Sequence, residues 1–265
     1  MPAAPGLSGA AEADVERRFG ALRRLYGDAA YAQLRGAHVA VVGVGGVGSW
    51  AAEALARSGV AALALIDLDH VAESNINRQV QALGRTLGQA KVLALRERIA
   101  DIHPGCEVTA IEEFADAHNW PALLPPGVQA VIDACDQVRA KAAIAGWALA
   151  AARPLVTVGA AGGKRQAQRV EVEDLGEVTH DPLLASLRQR VRREHGAARR
   201  GRIGVRCVFS REAVAAPAVC GAPADSDGSL NCAGYGSSVV VTATFGLVAA
   251  GEAIAQLLAR SAPER

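Results

Sequence analysis

The sequence predicts a doubly wound, mainly parallel α/β sheet with helices on both faces and a C-terminal extension. Short β-branched apolar runs alternate with helical patterns from His38 to Val158, the rhythm of βαβ units feeding a parallel sheet. The first run leads at once into the glycines Gly43, Gly45, Gly46 and Gly48 and then a helix. The composition agrees: four Phe, three Tyr and three Trp in 265 residues, with abundant Ala and Val, suit close helix-to-sheet contacts. The chain is ample to bury a core.

Taken in order, residues 1–12 are Pro, Ala, Gly and Ser with little to bury, and read as a disordered tail. From Asp14 to Leu34 a helical pattern carries Phe19, Leu22, Leu25 and Leu34 on apolar spacing, with Arg17, Arg18, Arg23 and Arg24 between them. His38 to Val42 is a buried parallel strand. The glycine turn and the helix Ser49 to Arg57 then make a phosphate cradle, because glycine lets the backbone approach and the helix N-terminus offers unpaired N–H groups. A second strand, Ala62 to Ile66, ends at Asp67, 19 residues after Gly48, where a Rossmann-like site places the acid that takes ribose hydroxyls. Up to this point a nicotinamide oxidoreductase fits as well as anything else.

A helix from about Gln89 to Ile102 follows, with Lys91 in its first turn. The helix dipole disfavours a cation there, and a phosphate ligand would supply the reason. Glu107 to Ile111 and Val128 to Ile132 are further strands, the second running into Asp133, Ala134, Cys135 and Asp136. Acids at the carboxyl end of a parallel strand face the ligand crevice, and beside a triphosphate they are natural Mg²⁺ partners; Asp133 has capping or orienting as its other reading. Arg139 and Lys141 open the next helix, with a solvated surface as the competing reading. Pro154 to Val158 is a strand entering the small-residue loop 159–163, which either lines the pocket or is a tight crossover.

The second half changes character. His180, Asp181 and Pro182 start a helix, and from Arg188 to Arg206 eight arginines face one glutamate. Arg188, Arg190, Arg192, Arg193, Arg199, Arg200 and Arg202 are candidates for contact with a nucleic-acid backbone, a mobile basic linker being the alternative; Lys164, Arg165 and Arg169 extend the stripe. A net charge of +1 argues against binding polyanions by bulk charge, whereas a local stripe still can. Val205 to Phe209 is a strand, Arg211 to Asn231 a long loop, and the chain closes on a helix. The apolar stretch 239–258 is about 20 residues long, roughly a membrane span, but Thr242, Thr244 and Glu252 interrupt it. It is read as a buried helix, placed at a dimer interface, and no transmembrane segment is expected. The five cysteines are an odd number without regular spacing; they point to a reducing, cytoplasmic setting rather than a disulfide framework. None are three apart, so no structural zinc is expected, and the N-terminus lacks a signal peptide's apolar core.

What separates the chain from a dehydrogenase lies after Asp67. Asp69, Asn75, Asn77, Arg78 and Gln79 form a tight polar cluster, and an arginine there serves an enzyme that must stabilise charge building on phosphate oxygens. GxGGxG at 43–48, DxDxVxxSNxNRQ at 67–79, Lys91 and DACD at 133–136 together resemble the adenylation domain shared by ubiquitin-activating enzymes and the bacterial ThiF/MoeB/HesA proteins. RLYG at 24–27, GGVGSWAAEALARSG at 45–59, CVFS at 207–210 and VTATFG at 241–246 more closely resemble the tRNA threonylcarbamoyladenosine dehydratases, over nearly the whole chain.

The resemblance implies a single adenylation domain over 13–265, with a nucleotide-binding half at about 36–160 and a substrate- and RNA-facing half at about 161–265. It implies ATP and Mg²⁺, with Gly43, Gly45, Gly46, Gly48, Asp67, Asp69, Asn75, Arg78, Gln79, Lys91 and Asp133 around the nucleotide. Arg78, Lys91 and Asp136 become the catalytic set, with Asp136 on the metal. An N-terminal arginine, Arg18 with Arg24 as its rival, would reach a nucleotide site, often the partner subunit's, which implies a homodimer. Cys232 is the candidate thiol and Cys220 a poorer one, direct attack on the adenylate remaining open. The implied reaction is ATP-dependent dehydration, by cyclisation, of threonylcarbamoyladenosine in tRNA through a carboxyl-adenylate, with sulfur-transfer proteins as further candidate partners. The alternative is adenylation of the C-terminal glycine of a ubiquitin-like sulfur carrier; a non-catalytic scaffold is disfavoured by intact Arg78, Lys91 and Asp136.

Overall fold

The computed structural model describes residues 14–215 and 235–259. The tail 1–12 and both Cys220 and Cys232 lie outside the described residues. The N-terminal helical pattern is two helices, α1 (Val15–Tyr26) and α2 (Asp28–Leu34). Gly27 separates them at φ 84° and ψ 167°, its N–H bonding back to the Arg23 carbonyl at 2.8 Å; this positive-φ, extended conformation, which glycine adopts without a Cβ clash, is why the single helix read from the sequence breaks there.

Then follow β1 (His38–Val42), α3 (Gly48–Arg57), β2 (Ala62–Ile66), α4 (Lys91–Ile102), β3 (Glu107–Ile111), β4 (Ala130–Asp133), α5 (Val138–Ala150) and β5 (Leu155–Val158). After them come β6 (Val170–Asp174), α6 (Pro182–Glu194), β7 (Arg206–Ser210) and α7 (Val239–Ala259). Among the described residues seven strands form one sheet, in the order β3-β2-β1-β4-β5-β7-β6. Every pairing is parallel except β6 with β7. The doubly wound sheet is therefore as expected, with the edge strand β6 as an addition.

Side chains alternate across the sheet with the period of two that a strand imposes. Val39, Val41, Leu63, Leu65, Ile132 and Val208 join the core beneath α3, α4 and α7. Ala40, Val42, Ala64, Ile66, Val131 and Phe209 face the opposite core, which α5 and α6 cover. α7 is apolar and long enough to cross a membrane by length and composition. In this structure Val241, Phe245, Ala249, Ala253 and Leu257 are buried, and Gly246 lies so close to α3 that a Cβ would sit 2.8 Å from Trp50 Cβ and 2.9 Å from Ala51 N. Val240 and Leu247 remain exposed.

Candidate active site

The loops at the carboxyl ends of β1, β2 and β4 open onto a pocket of about 980 Å³, at the upper end of the range of small-molecule sites. Gly43 shapes its floor. At φ 80° it occupies the left-handed region, and a Cβ there would press on Cys135 N at 2.9 Å and on the Ala134 carbonyl. Gly43, Gly45 and Gly46 line the pocket. Gly48 does not: it opens α3, is buried, and a Cβ would overlap the Gly43 carbonyl oxygen. Its placement is thus one of backbone packing rather than of cradling, a correction to the reading of all four glycines as ligand contacts.

Asp67, at the end of β2, is buried on the pocket wall and accepts from the N–H groups of Val44 at 2.8 Å and Asp69 at 2.9 Å. Burial raises its pKa, against the pull of Lys91 and these two hydrogen bonds. Lys91 is buried at the start of α4 and pairs with the half-exposed Asp69 at 2.6 Å. Asn75 Oδ1 accepts from Ala72 N at 3.1 Å, and buried Gln79 accepts from Gln81 Nε2 at 3.3 Å; both residues line the pocket.

Arg78 carries the clearest electrostatic signature. Its Nη1 donates to the Ser74 carbonyl at 2.7 Å and to Asn77 Oδ1 at 3.0 Å. Its Nε is buried without a hydrogen-bond partner among the described residues, and burial lowers the pKa of the guanidinium. A buried donor left unpaired is costly, and an anion in the pocket would satisfy it. The backbone of Arg78 is pinned in turn, since its carbonyl accepts from Trp50 Nε1 at 3.0 Å and from Thr242 Oγ1 at 3.4 Å. The sequence offers no local sign of this clamp, whose parts lie 28 and 164 residues away.

The β4–α5 turn divides its acids. Asp136 and Cys135 line the pocket, whereas Asp133 is fully buried below it. Asp133 Oδ2 pairs with Lys141 Nζ at 3.1 Å and accepts from Thr157 Oγ1 at 2.6 Å, and its Oδ1 accepts from Cys135 Sγ at 3.0 Å. Asp133 is therefore set away from the pocket, a correction to its reading as a nucleotide contact, since its carboxylate is spent on neutralising a lysine in the core. Lys141 is correspondingly no surface residue. Burial presses its pKa down, yet the net shift is upward, chiefly through the Asp133 carboxylate beside it. Burial, with Asp133 beside it, keeps the Cys135 thiol well above its ordinary pKa and so protonated.

The small-residue loop lines the pocket through Gly159, Ala160, Ala161 and Gly162, resolving that choice. Asp181 holds it from below by accepting from Ala160 N at 2.9 Å. Tyr235, Ser237, Phe114 and Arg139 complete the wall; of these, sequence reasoning singled out Arg139 alone. The described residues contain no group of three or more His, Cys, Asp and Glu side chains placed to hold a metal.

Arg18 is not at this pocket in its own chain. Its Nη1 donates to the carbonyls of Asp101 at 3.1 Å and Ile102 at 2.6 Å, capping α4 at the amino end of the sheet, while the pocket is at the carboxyl end. Arg24 is exposed on the last turn of α1.

The basic stripe also divides. α6 is an ordinary amphipathic helix anchored by Leu183, Leu184, Leu187 and Val191, so its arginines are not on a mobile linker. Arg188 donates to the carbonyls of Leu175 at 3.2 Å and Val178 at 2.7 Å, and Arg192 to that of Ala198 at 3.0 Å. These two hold the fold rather than offering free forks. Arg190 and Arg193 pair with Glu194 at 3.1 and 2.7 Å. Arg199, Arg200 and Arg202 are exposed, Arg202 lying 4.0 Å from Asp174. Lys164 leaves the stripe altogether: it is buried and donates to the carbonyls of Glu212, Ser210 and His180.

The ThiF family matches residues 18–264 of this chain. A tRNA threonylcarbamoyladenosine dehydratase of Escherichia coli is 44% identical over 255 residues, covering 93% of this chain and 95% of that protein. The crystal structure of an E. coli tRNA N6-threonylcarbamoyladenosine dehydratase in complex with ATP superimposes with a TM-score of 0.85 at 42% identity, covering 94% of this chain and 97% of that one. The same enzyme in complex with AMP gives 0.84 at 42% identity, over 93% and 96%.

Proposed function

Because the chain belongs to the ThiF family, we propose that it uses ATP to activate a carboxylate and thereby dehydrates threonylcarbamoyladenosine in tRNA. The observation that carries the proposal is Arg78 Nε, a buried donor without a partner among the described residues, in one pocket with Lys91 and the glycine turn. That arrangement needs an anion, and the relatives, similar over both halves of the chain, include one solved with ATP and one with AMP.

In the proposed reaction the threonyl carboxylate attacks the α-phosphate. A bond forms from carboxylate oxygen to phosphorus, the bond from that phosphorus to the β-phosphate oxygen breaks, and pyrophosphate leaves. Arg78 and Lys91 stabilise the charge that grows on the phosphate oxygens. The backbone N–H groups of Gly45 and Gly46 border the phosphates, and Asp67 offers its remaining lone pairs to the ribose hydroxyls. Asp69 holds the Lys91 ammonium in place. The acyl-adenylate is then attacked from within its own side chain, closing a ring and expelling AMP, which carries away the oxygen that the substrate loses. Holding both groups in one molecule makes this step effectively unimolecular.

Mg²⁺ fits as a companion of ATP, because it takes one or two carboxylates and completes its shell with phosphate oxygens and water. Asp136 would hold it, and the ion would neutralise phosphate charge. A single adenylation domain over 13–265 and a homodimer belong to the same proposal. With Arg18 spent on α4, Arg24 becomes the better arginine to enter a second copy's pocket. Arg193, Arg199, Arg200 and Arg202 remain as the exposed face for tRNA.

The test is to incubate the protein with ATP, Mg²⁺ and tRNA bearing threonylcarbamoyladenosine, then weigh the digested nucleosides. Loss of one water, abolished by Lys91→Ala, is the expected result. No mass change, with pyrophosphate exchange that depends on a ubiquitin-like carrier, would overturn the reading.

A further inference from the structure

A second cavity of about 470 Å³ lies between α5, the last turn of α6 and residues 117–120. Arg139 lines both this cavity and the nucleotide pocket. Residues 113–120 also join the two: Glu113 to Asp116 face the nucleotide pocket, while Ala117 and Trp120 face the second cavity. α5 contributes Arg139, Ala143, Gly146 and Trp147, spaced so that one helical face looks onto the cavity. Trp147 is partly exposed and meets Trp120 at right angles, with ring centroids 5.5 Å apart. The two indoles therefore do not stack on each other. Trp120 is buried, and its Nε1 has no hydrogen-bond partner among the described residues. From α6 both Arg190 and Glu194 line the cavity, paired at 3.1 Å, and Glu194 also pairs with Arg193 at 2.7 Å. His195 closes the end, packed so tightly on Gly146 that a Cβ there would overlap its ring.

An aromatic platform beside two guanidinium groups is an arrangement that holds an unstacked nucleotide. Bases of any identity stack on tryptophan, single-stranded loops present such bases, and arginine forks pair with phosphate oxygens. A glycine-ended peptide tail would leave the aromatic face unused. We propose that this cavity is a subsite for a nucleobase of the RNA substrate, taken from the loop that carries the modified adenosine and stacked on Trp147. The phosphates of that nucleotide lie toward Arg139 and Arg190. The inference rests on tRNA being the substrate. Through Arg139 the site lies directly beside the pocket that the threonylcarbamoyl arm must enter.

The test uses a fluorescein-labelled anticodon stem–loop bearing threonylcarbamoyladenosine, with binding read by anisotropy and ATP affinity by calorimetry. Trp147→Ala weakens RNA binding by roughly tenfold, the loss of one base–aromatic stack, while Trp147→Phe stays near wild type. Ala143→Glu, which puts bulk and negative charge into the cavity without removing a core side chain, weakens it similarly. ATP affinity is unchanged in all three, and the loss appears in KM for RNA rather than in kcat. Should Trp147→Ala fail to fold, as lost ATP binding would report, Ala143→Glu decides. Unchanged RNA affinity in an Ala143→Glu protein that still binds ATP overturns the subsite and leaves the dehydratase reading standing. A wild-type protein that binds no stem–loop and dehydrates no tRNA overturns both.

Discussion

Lys141→Met isolates what the buried ion pair under the pocket floor does. In the native protein Lys141 and Asp133 are both fully buried and 3.1 Å apart, with Thr157 Oγ1 bonded to each. Removing the ammonium leaves a carboxylate in the core with only the Thr157 hydroxyl and the Cys135 thiol and N–H near it. Breaking one side of a buried pair costs about 3–5 kcal/mol, and the surviving donors place this case near the lower figure. At about 2–4 °C per kcal/mol for a chain of this size, the melting temperature falls by roughly 6–12 °C. The double variant Lys141→Met/Asp133→Leu recovers most of that, because apolar replacement of both partners is commonly close to neutral. The pH dependence follows from the Lys141 pKa, which burial pulls down most strongly but which is raised on balance, chiefly by the Asp133 carboxylate. A cation held above its unfolded pKa contributes its full stability below that value and loses it as pH rises through the folded one. The gap between wild type and Lys141→Met is therefore constant through neutral pH and closes only above about pH 10.5, the ordinary lysine value. Urea unfolding of the four proteins of the cycle, repeated across pH, makes the measurement. A single variant within about 1 kcal/mol of wild type, or a double variant less stable than Lys141→Met, would refute the reasoning.

Three further outcomes are expected. Lys91→Ala lowers pyrophosphate release by about 10²–10³, the size of losing one charge-stabilising donor, with little change in melting temperature because Asp69 is half exposed; equal losses in rate and stability would contradict this. Gly46→Ala folds, its Cβ 3.3 Å from Thr242 Cγ2, and weakens ATP binding in a titration. Gly48→Ala instead collides with the Gly43 carbonyl and loses cooperative unfolding by circular dichroism. Replacing Arg199 and Arg200 together reduces the slope of log affinity for tRNA against log salt by about 1–2. Arg188→Ala leaves that slope alone and lowers thermal stability, since its bonds are to Leu175 and Val178.

Where the fold was legible, local chemistry decided it. The glycine turn, the strands His38–Val42, Ala62–Ile66 and Glu107–Ile111, and Lys91 at a helix start are each fixed by neighbours in sequence, and the structure has them. The failures share one cause, an acceptor that a pattern of charges along the chain does not show. The solvated alternative for Lys141 and the basic-stripe reading of Lys164 fail because the charge pattern does not show Asp133 below the one, or the carbonyls of Ser210 and Glu212 46 and 48 residues on from the other. Arg188 and Arg18 read as solvent or ligand arginines because their carbonyl acceptors are invisible in a charge pattern. The edge strand Val170–Asp174 is a different omission. Its Val-Glu-Val-Glu alternation is a period-two signal, available without any tertiary knowledge.

The pocket is asymmetric in a way that bears on substrate choice. Asp67, Arg78, Lys91 and Asp136 all come from the segments after β2 and β4, the half that reads as a nucleotide site. The facing wall comes from Gly159 to Gly162 and from Tyr235, Ser237 and Thr242 before and within α7. The two walls are not independent: Thr242 Oγ1 reaches the Arg78 carbonyl, and Asn77 Nδ2 donates to the Ser237 carbonyl at 3.0 Å. Both walls therefore hold the Arg78 segment, and the Arg78 Nε is buried without a partner among the described residues. An arginine braced from the opposite wall in this way is set before the reaction, and in the proposed chemistry a donor already in place costs no reorganisation when charge develops on the phosphate.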